Sequence, residues 1–524
     1  MRCGVACFYR KFPIVSLLLT SLIFFVLALI AHIYQLNITG LNLWGAIAVA
    51  LTFNPLKLQN KEWLVWSFIA LISALLPFYL SAQIFGVWIF VLFLAFAPIL
   101  KRNHADVDFS DYGLLLIFSA FFFNLSLISN TSHTDIQYDF ASCFNYIEYI
   151  LDNNFLFWNE NPLLTRPSYS TYHPILHFFL AAAEIRFTLI FTDNMQIAAE
   201  TAQVAFCCYM LWYYLICNKI LRLFKLQPLP YFCGLLLVIF FPAYNAISGF
   251  FNNDCLLLPL QAGTIYYSLL YYQNGERKNL IYLFIFATLA ALTKLSAIVV
   301  LPLTAVVLLL RLIQHNDKQT WLEIGIFCVF LLGGLAIWPL YQHFFLHVGA
   351  DFVPPQEHLS LEPYSYWQRF NPLGAFFYTQ MFYNDFGINL WETMTKTALF
   401  GQWDFSYRGQ SIMPLIYALV WIFKAILLLL WGVVIYFIFC KRTTNSWLAI
   451  VLLMGILAGQ VAFGLMHPYM CNQDFRYVAI ITLAWAILLA QFCNSIPRKG
   501  QVCVLILVSV FAFLSAFIWW RISF

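Results

Sequence analysis

Apolar runs of about twenty residues, the length that crosses a bilayer as a helix, recur along almost the whole chain. They stand at about 13–33, 36–54, 63–82, 84–100 and 112–129 before the first long polar interruption, residues 130–172. Lys57 and Lys61, then Lys101 and Arg102, mark alternate connections as cytoplasmic, because loop lysines and arginines collect on that side. The interruption 130–172 is therefore predicted outside.

The next run, 174–191, reads differently. If it crossed, the following helix, at about 196–217, would put Lys219, Arg222 and Lys225 outside, against the same orientation rule. The run also carries His177, Glu184 and Arg186, which are costly in lipid. It predicts an interfacial or re-entrant helix on the outer face. Further spans follow at about 229–247, 252–272, 280–293, 296–313 and 322–342, then a second long exterior segment, 343–412. Beyond it Lys441-Arg442 fall inside, 467–476 outside and Arg498-Lys499 inside, and a last span follows. The pattern predicts an all-α polytopic membrane protein of about 15 spans, with interfacial helices in two exterior loops. Four parts are expected: extra N-terminal spans in 1–111, a core in 112–342, the exterior segment 343–412, and C-terminal spans in 413–524.

Composition agrees. Of 524 residues 63% are hydrophobic and 10% charged, where soluble domains carry about 25% charged residues. The run 12–32 follows Arg2, Arg10 and Lys11; it is long for a signal peptide, lacks a small-residue cleavage pattern and reads as a membrane anchor. The net charge of +4 is what basic cytoplasmic loops supply and points to no nucleic acid. Most of the 13 cysteines sit in apolar spans; Cys143 and Cys471 fall in exterior loops, where a disulfide between them is open.

Every exterior polar cluster adjoins a membrane exit. Asp135 and Asp139 follow the fifth span, Asp254 opens a later one, Lys294 separates two short ones, and Arg476 stands at the mouth of the penultimate span. Ionisable residues at such positions are functional candidates, but each has a plainer reading. Lone exterior aspartates such as Asp139, Asp152, Asp351, Asp385 and Asp404 are commonly caps or turn residues. Asp254 could cap its helix, Lys294 could snorkel from a helix end, and Arg476 could simply pair with Asp474. Together, carboxylates and cations gather on one side. Moving a group off a lipid phosphate needs both, a base for the acceptor hydroxyl and cations for the departing phosphate. No Walker or Rossmann glycine pattern calls for a nucleotide.

The order of the motifs carries a resemblance. Asp135 after the first core span, then Asn145-Tyr146-Ile147-Glu148-Tyr149-Ile150, then Tyr172-His173-Pro174-Ile175-Leu176-His177, resembles the bacterial branch of the GT-C glycosyltransferases. The chain is similar to the dolichyl-phosphate-mannose protein mannosyltransferases and the lipid A aminoarabinose transferases. The likeness continues through Phe251-Asn252-Asn253-Asp254, Ala291-Leu292-Thr293-Lys294, Leu399-Phe400-Gly401 and Phe475-Arg476-Tyr477. It implies a GT-C fold that moves a sugar from a polyprenyl-phosphate donor to a glycan, lipid or protein acceptor. The reaction would take place with inversion, at the outward face of a bacterial cytoplasmic membrane. In that likeness Asp135 is the catalytic base and Asp254 the second acid. Lys294, Arg476 and His173 hold the donor phosphate, and Asp139 and Tyr172 support them. His173 departs from the lysine of the lipid A enzymes, and Ile175 replaces a second proline; a neutral imidazole binds phosphate less strongly. No metal ligands are assigned, and a divalent metal is left open.

Two other classes compete. A secondary transporter predicts inverted repeats and midplane charges in paired broken helices; the sequence has neither. A lipid-linked glycan ligase or polymerase would move a whole glycan, relying on exterior arginine and histidine without an early aspartate.

Overall fold

The computed structural model describes residues 109–129, 139–156, 161–165, 169–348, 359–377, 387–401 and 412–523. The first four predicted spans, Asp135, and parts of both exterior segments lie outside the described residues. Among the described residues the chain is helical, with a single isolated bridge, Ser360 to Tyr469.

After helix α1 (Phe109–Ser129), α2 (Phe140–Asp152) lies in the loop that the sequence predicts to be exterior. A short helix α3 (Leu176–Thr188) follows, then α4 (Met195–Leu223), α5 (Pro228–Ile239) and α6 (Pro242–Ile247). Next come α7 (Asp254–Asn274), α8 (Arg277–Thr293), α9 (Leu301–Gln314) and α10 (Lys318–Tyr341). The long segment after α10 carries α11 (Leu390–Phe400), and α12 (Met413–Phe439), α13 (Thr444–Met466), α14 (Ile481–Ser495) and α15 (Arg498–Ser523) complete the bundle. Among the described residues six helices are long and apolar enough to cross a membrane: Met195–Leu223, Leu295–Gln314, Lys318–Leu346, Met413–Phe439, Thr444–Met466 and Arg498–Ile522.

Two breaks depart from the predicted boundaries, and both have a backbone cause. The expected span 229–247 stops at Ile239 and resumes as α6. Pro242 has no N–H to continue the helix and drives Phe241 into extended geometry, φ −68°, ψ 128°. After α8, Lys294 is extended (φ −162°, ψ 140°), and a 3₁₀ turn, Leu295–Val300, precedes α9. The break leaves Lys294 on an irregular stretch beside the start of α7.

α4 and α5 form the centre. α4 packs on α1, α3 and α7, while α5 packs on α14 and α15. The α5–α14 approach is close because Gly234 faces Ala486 and Ala490; a Cβ at Gly234 would stand 2.9 Å from the Ala486 carbonyl, the small-residue packing common between membrane helices. α10 is peripheral, with Val329, Phe330 and Leu332 exposed. Such a face suits lipid, in which the internally bonded backbone of a helix is the structure that survives.

α3 has 13 residues, a length of about 20 Å, short of the roughly 30 Å hydrocarbon layer. Two of its polar residues point at protein: His177 is buried against Phe251 O (3.3 Å), and Glu184 accepts from Tyr209 Oη (2.7 Å), while Arg186 is exposed. Beyond its C-terminus Ile190 and Phe191 are exposed.

The connections gather at two ends. At one, Gln342 Nε2 donates to Tyr172 O (3.2 Å), Asn161 Nδ2 to Leu346 O (3.1 Å), and Leu361 N–H to Pro468 O (2.6 Å). These bonds join the loop before α3, the segment after α10 and the 467–478 turn. At the other, Gln227 N–H donates to Asn494 Oδ1 (3.1 Å) and Arg277 pairs with Glu323 (2.5 Å).

Candidate active site

Five elements meet at the first end around a cavity of about 550 Å³, its open mouth included. Asp139 and Phe140 enter from the start of α2, Asn252 and Asp254 from the start of α7, Thr397 and Gly401 from the end of α11. Asp474 and Arg476 come from the turn before α14, and Ala243 and Ala246 from α6. The alanines, with Ile247 and Phe250, make one wall apolar.

Asp254 is the first residue of α7 rather than its cap. Asn252 Oδ1 accepts from Asp254 N–H (3.0 Å), and Asn253 Nδ2 donates to Thr293 O (3.0 Å), which ties α7 to the end of α8. The Asp254 carboxylate is thereby free for Lys294, whose Nζ lies 2.6 Å from Oδ1. Both side chains are buried, 2% and 5% exposed, so Lys294 does not snorkel to solvent. Its ammonium also stands 4.6 Å from the centre of the Tyr477 ring. Asp254 Oδ2 is buried with no hydrogen-bond partner.

Arg476 sits in a 3₁₀ turn, Phe475–Val478, capped by Asp474, whose Oδ1 accepts from Arg476 N–H (3.0 Å). The Asp474 carboxylate is 3.6 Å from Arg476 Nε, whereas Asp139 Oδ2 is 2.7 Å from Nη1. The guanidinium's closer acidic partner therefore comes from the start of α2, not from its own turn. Asp139 stands at the N-cap position of α2 but makes no capping bond. The guanidinium of Arg476, opposed by burial, holds its carboxyl below the usual range. Thr397 completes the floor: its Oγ1 accepts from Phe475 N–H (2.8 Å), fixing the turn that presents Arg476. Gly401, at φ +61°, ends α11 at the cavity edge in a backbone region that favours glycine.

His173 and Tyr172 do not line the cavity. Tyr172 is engaged through its carbonyl with Gln342. Burial pushes the His173 imidazole down to about 3, and the charges of Lys294 and Arg476 add to this against Asp139. His173 is neutral near pH 7 and adds no positive charge. Cys143 and Cys471 are not joined by a disulfide. Among the described residues no group of three His, Cys, Asp or Glu side chains could hold a metal ion.

Of the residues singled out in the sequence, Asp254, Lys294, Asp139 and Arg476 thus form two ion pairs at one end of the bundle, and Asp135 lies outside the described residues. Sequence reasoning missed Thr397 and Asn252 as cavity residues. Asn252 stands inside a quoted motif and Thr397 two positions before one, so their neighbourhood was the available signal.

Residues 172–339 match the family model of the dolichyl-phosphate-mannose-protein mannosyltransferases. The matched stretch contains Asp254 and Lys294; Asp139 precedes it and Arg476 follows it. The similarity supports a membrane glycosyltransferase of the GT-C type, with a lipid-linked sugar donor and a glycan or protein acceptor in general terms. Neither curated proteins nor solved structures match the chain.

Proposed function

We propose that the protein transfers one sugar from a polyprenyl-phosphate carrier to an acceptor hydroxyl in this cavity, with inversion, at the outer face of the membrane. The observation that carries the reading is the meeting of two carboxylate–cation pairs, Asp254–Lys294 and Asp139–Arg476, beside an apolar wall. The reaction needs that combination of charges.

In the proposed step the acceptor oxygen bonds to the anomeric carbon as its proton passes to Asp135. The bond between that carbon and the phosphate oxygen breaks, and its electrons leave on the carrier phosphate. Lys294 and Arg476 offset the added charge. A phosphate arriving between them competes for cations now held by Asp254 and Asp139, so each carboxylate keeps its cation in place while the donor is absent. Asp254 Oδ2, unpartnered and at the cavity, is available to accept from the sugar or the acceptor. Neutral His173 serves as a hydrogen-bonding group rather than a counter-charge.

The outward orientation rests on charge. The connections opposite the cavity are rich in lysine and arginine, the mark of the cytoplasmic side. The test is initial-rate transfer from a polyprenyl-phosphate sugar by purified Lys294→Met and Arg476→Met. Loss of transfer with weakened donor binding is expected. Full activity in both variants would remove the phosphate assignment.

A further inference from the structure

Two asparagines precede Asp254, and their side chains are used differently. Asn253 is buried, and its amino group is engaged by Thr293 O. Asn252 is half-buried and lines the cavity. Its Oδ1 accepts from Asp254 N–H (3.0 Å), a local turn that fixes the amide. The backbone N–H needs an acceptor, which the amino group is not, so the two ends of the amide cannot exchange. Asn252 Nδ2 donates to no acceptor among the described residues. The turn thus holds a hydrogen-bond donor at the cavity.

Two residues on, Asp254 Oδ2 is an acceptor without a partner, on a side chain 2% exposed. A buried carboxylate oxygen left unpaired is costly, and a ligand that donates to it removes the cost. Nearby polar side chains are engaged by protein. Thr397 accepts from Phe475 N–H and donates to Thr393 O (2.9 Å), and Asp474 accepts from Arg476 N–H. The start of α7 therefore offers a fixed donor beside a fixed acceptor.

Hydroxyls match that pair. One donates to Oδ2, while its neighbour's oxygen accepts from Nδ2. A phosphodiester has no proton to give and is repelled by the carboxylate. The position indicates which hydroxylated molecule is read. Lys294, the cation assigned to the carrier phosphate, lies 2.6 Å from Asp254 Oδ1. A sugar joined to that phosphate is one linkage away from the start of α7. Ala246, Ile247 and Phe250 supply apolar surface for the C–H face of its ring.

We propose that Asn252 and Asp254 read a pair of adjacent free hydroxyls on the donor sugar, with Asn252 setting the specificity. The proposal rests on the carrier-phosphate reading of this site and adds the sugar chemistry that it selects.

Equilibrium binding to the purified full chain provides the test. The probes are polyprenyl-phosphate mannose, its monodeoxy forms, polyprenyl-phosphate N-acetylglucosamine, and polyprenyl methyl phosphate, which keeps the phosphodiester and lacks the sugar. In the wild type, loss of the hydroxyl that meets Nδ2 should weaken binding about fivefold. Asn252→Ala should weaken the mannosyl donor by the same factor. It should cost nothing further on that deoxy form and nothing on the methyl phosphate. Asn252→Asp keeps the acceptor for Asp254 N–H and removes the donor. Its unfolding midpoint should stay near the wild-type value while the mannosyl donor binds no better than in Asn252→Ala. Equal losses on all probes, the methyl phosphate included, would mean a structural role and overturn the proposal. So would losses in Asn252→Ala that add to those of every deoxy form. Tighter, Asn252-dependent binding of the N-acetylglucosamine donor would reject the hydroxyl pair. Failure of the wild type to bind the methyl phosphate would remove the carrier-phosphate reading itself, and the inference with it.

Discussion

Asp139 and Asp135 differ in what their surroundings permit. Arg476, 2.7 Å away, stabilises the Asp139 carboxylate and lowers its affinity for a proton, so Asp139 suits holding the guanidinium better than general-base work. Asp135, outside the described residues, keeps the base role as a proposal. Asp135→Asn should cut initial-rate transfer by about 10² to 10⁴ at unchanged thermal stability, since an amide cannot take the proton. Asp139→Asn should act more mildly, through donor affinity; a variant pair behaving the other way round would move the base by one helical turn. The buried Asp254–Lys294 pair makes a different prediction. Asp254→Asn strands a buried ammonium, at a cost of about 3–5 kcal/mol, read as a lowered unfolding midpoint. Asp254→Asn combined with Lys294→Met should recover much of that stability and none of the activity. No recovery would show that the pair does not act as a unit. His173 sets a pH dependence. Its folded value of about 3 lies below the ordinary histidine value near 6.5, so the unfolded chain binds the proton first. Its contribution to stability is complete above about pH 6.5 and is lost as pH falls toward 3. The loss of unfolding midpoint between pH 7 and pH 5 should therefore be smaller in His173→Gln than in the wild type.

At the scale of elements, the apolar pattern matches the helix bounds to within two residues where a helix continues unbroken, as in α7, and at the start of α4. Proline chemistry and one extended lysine created the breaks at α5–α6 and α8–α9, and both breaks border the cavity region. For the segment 343–412 the sequence predicted helix without placing it. Its helix α11 is held by α15, where Trp519 Nε1 donates to Leu399 O (3.2 Å), and by the 467–478 turn, where Gln473 Nε2 donates to Ile388 O (3.0 Å). Loops of this length in compact proteins are commonly functional. Exchanging residues 358–369 for the segment of a related enzyme should change acceptor choice and leave donor binding intact, measured with a panel of acceptors. An unchanged preference would sink the assignment. The exchange spares Thr397 and Gly401, so a loss of donor binding would instead point to displacement of α11.

For the whole molecule, orientation is the property on which the proposed chemistry depends. Asp193, just after α3, is exposed, and Asn316 is exposed in the α9–α10 connection. With exposed native cysteines replaced, Asp193→Cys should react with a membrane-impermeant maleimide added outside intact cells, and Asn316→Cys should react only after permeabilisation. Labelling of Asp193→Cys only after permeabilisation would mean that 174–191 crosses the bilayer and that the downstream orientation is inverted.

The chain's own residues determined the helical, membrane-spanning class and the residue types at the helix ends, because hydropathy and charge act locally and can be read along a line. They could not settle who pairs with whom. Arg476 stands two residues from Asp474 yet lies closer to Asp139, and Lys294 finds Asp254 across a helix pair. Those partnerships depend on bundle packing that brings helix ends together from distant parts of the chain. The same packing withdrew His173 from the role of a cation, because desolvation is a property of the surrounding side chains and not of the residue.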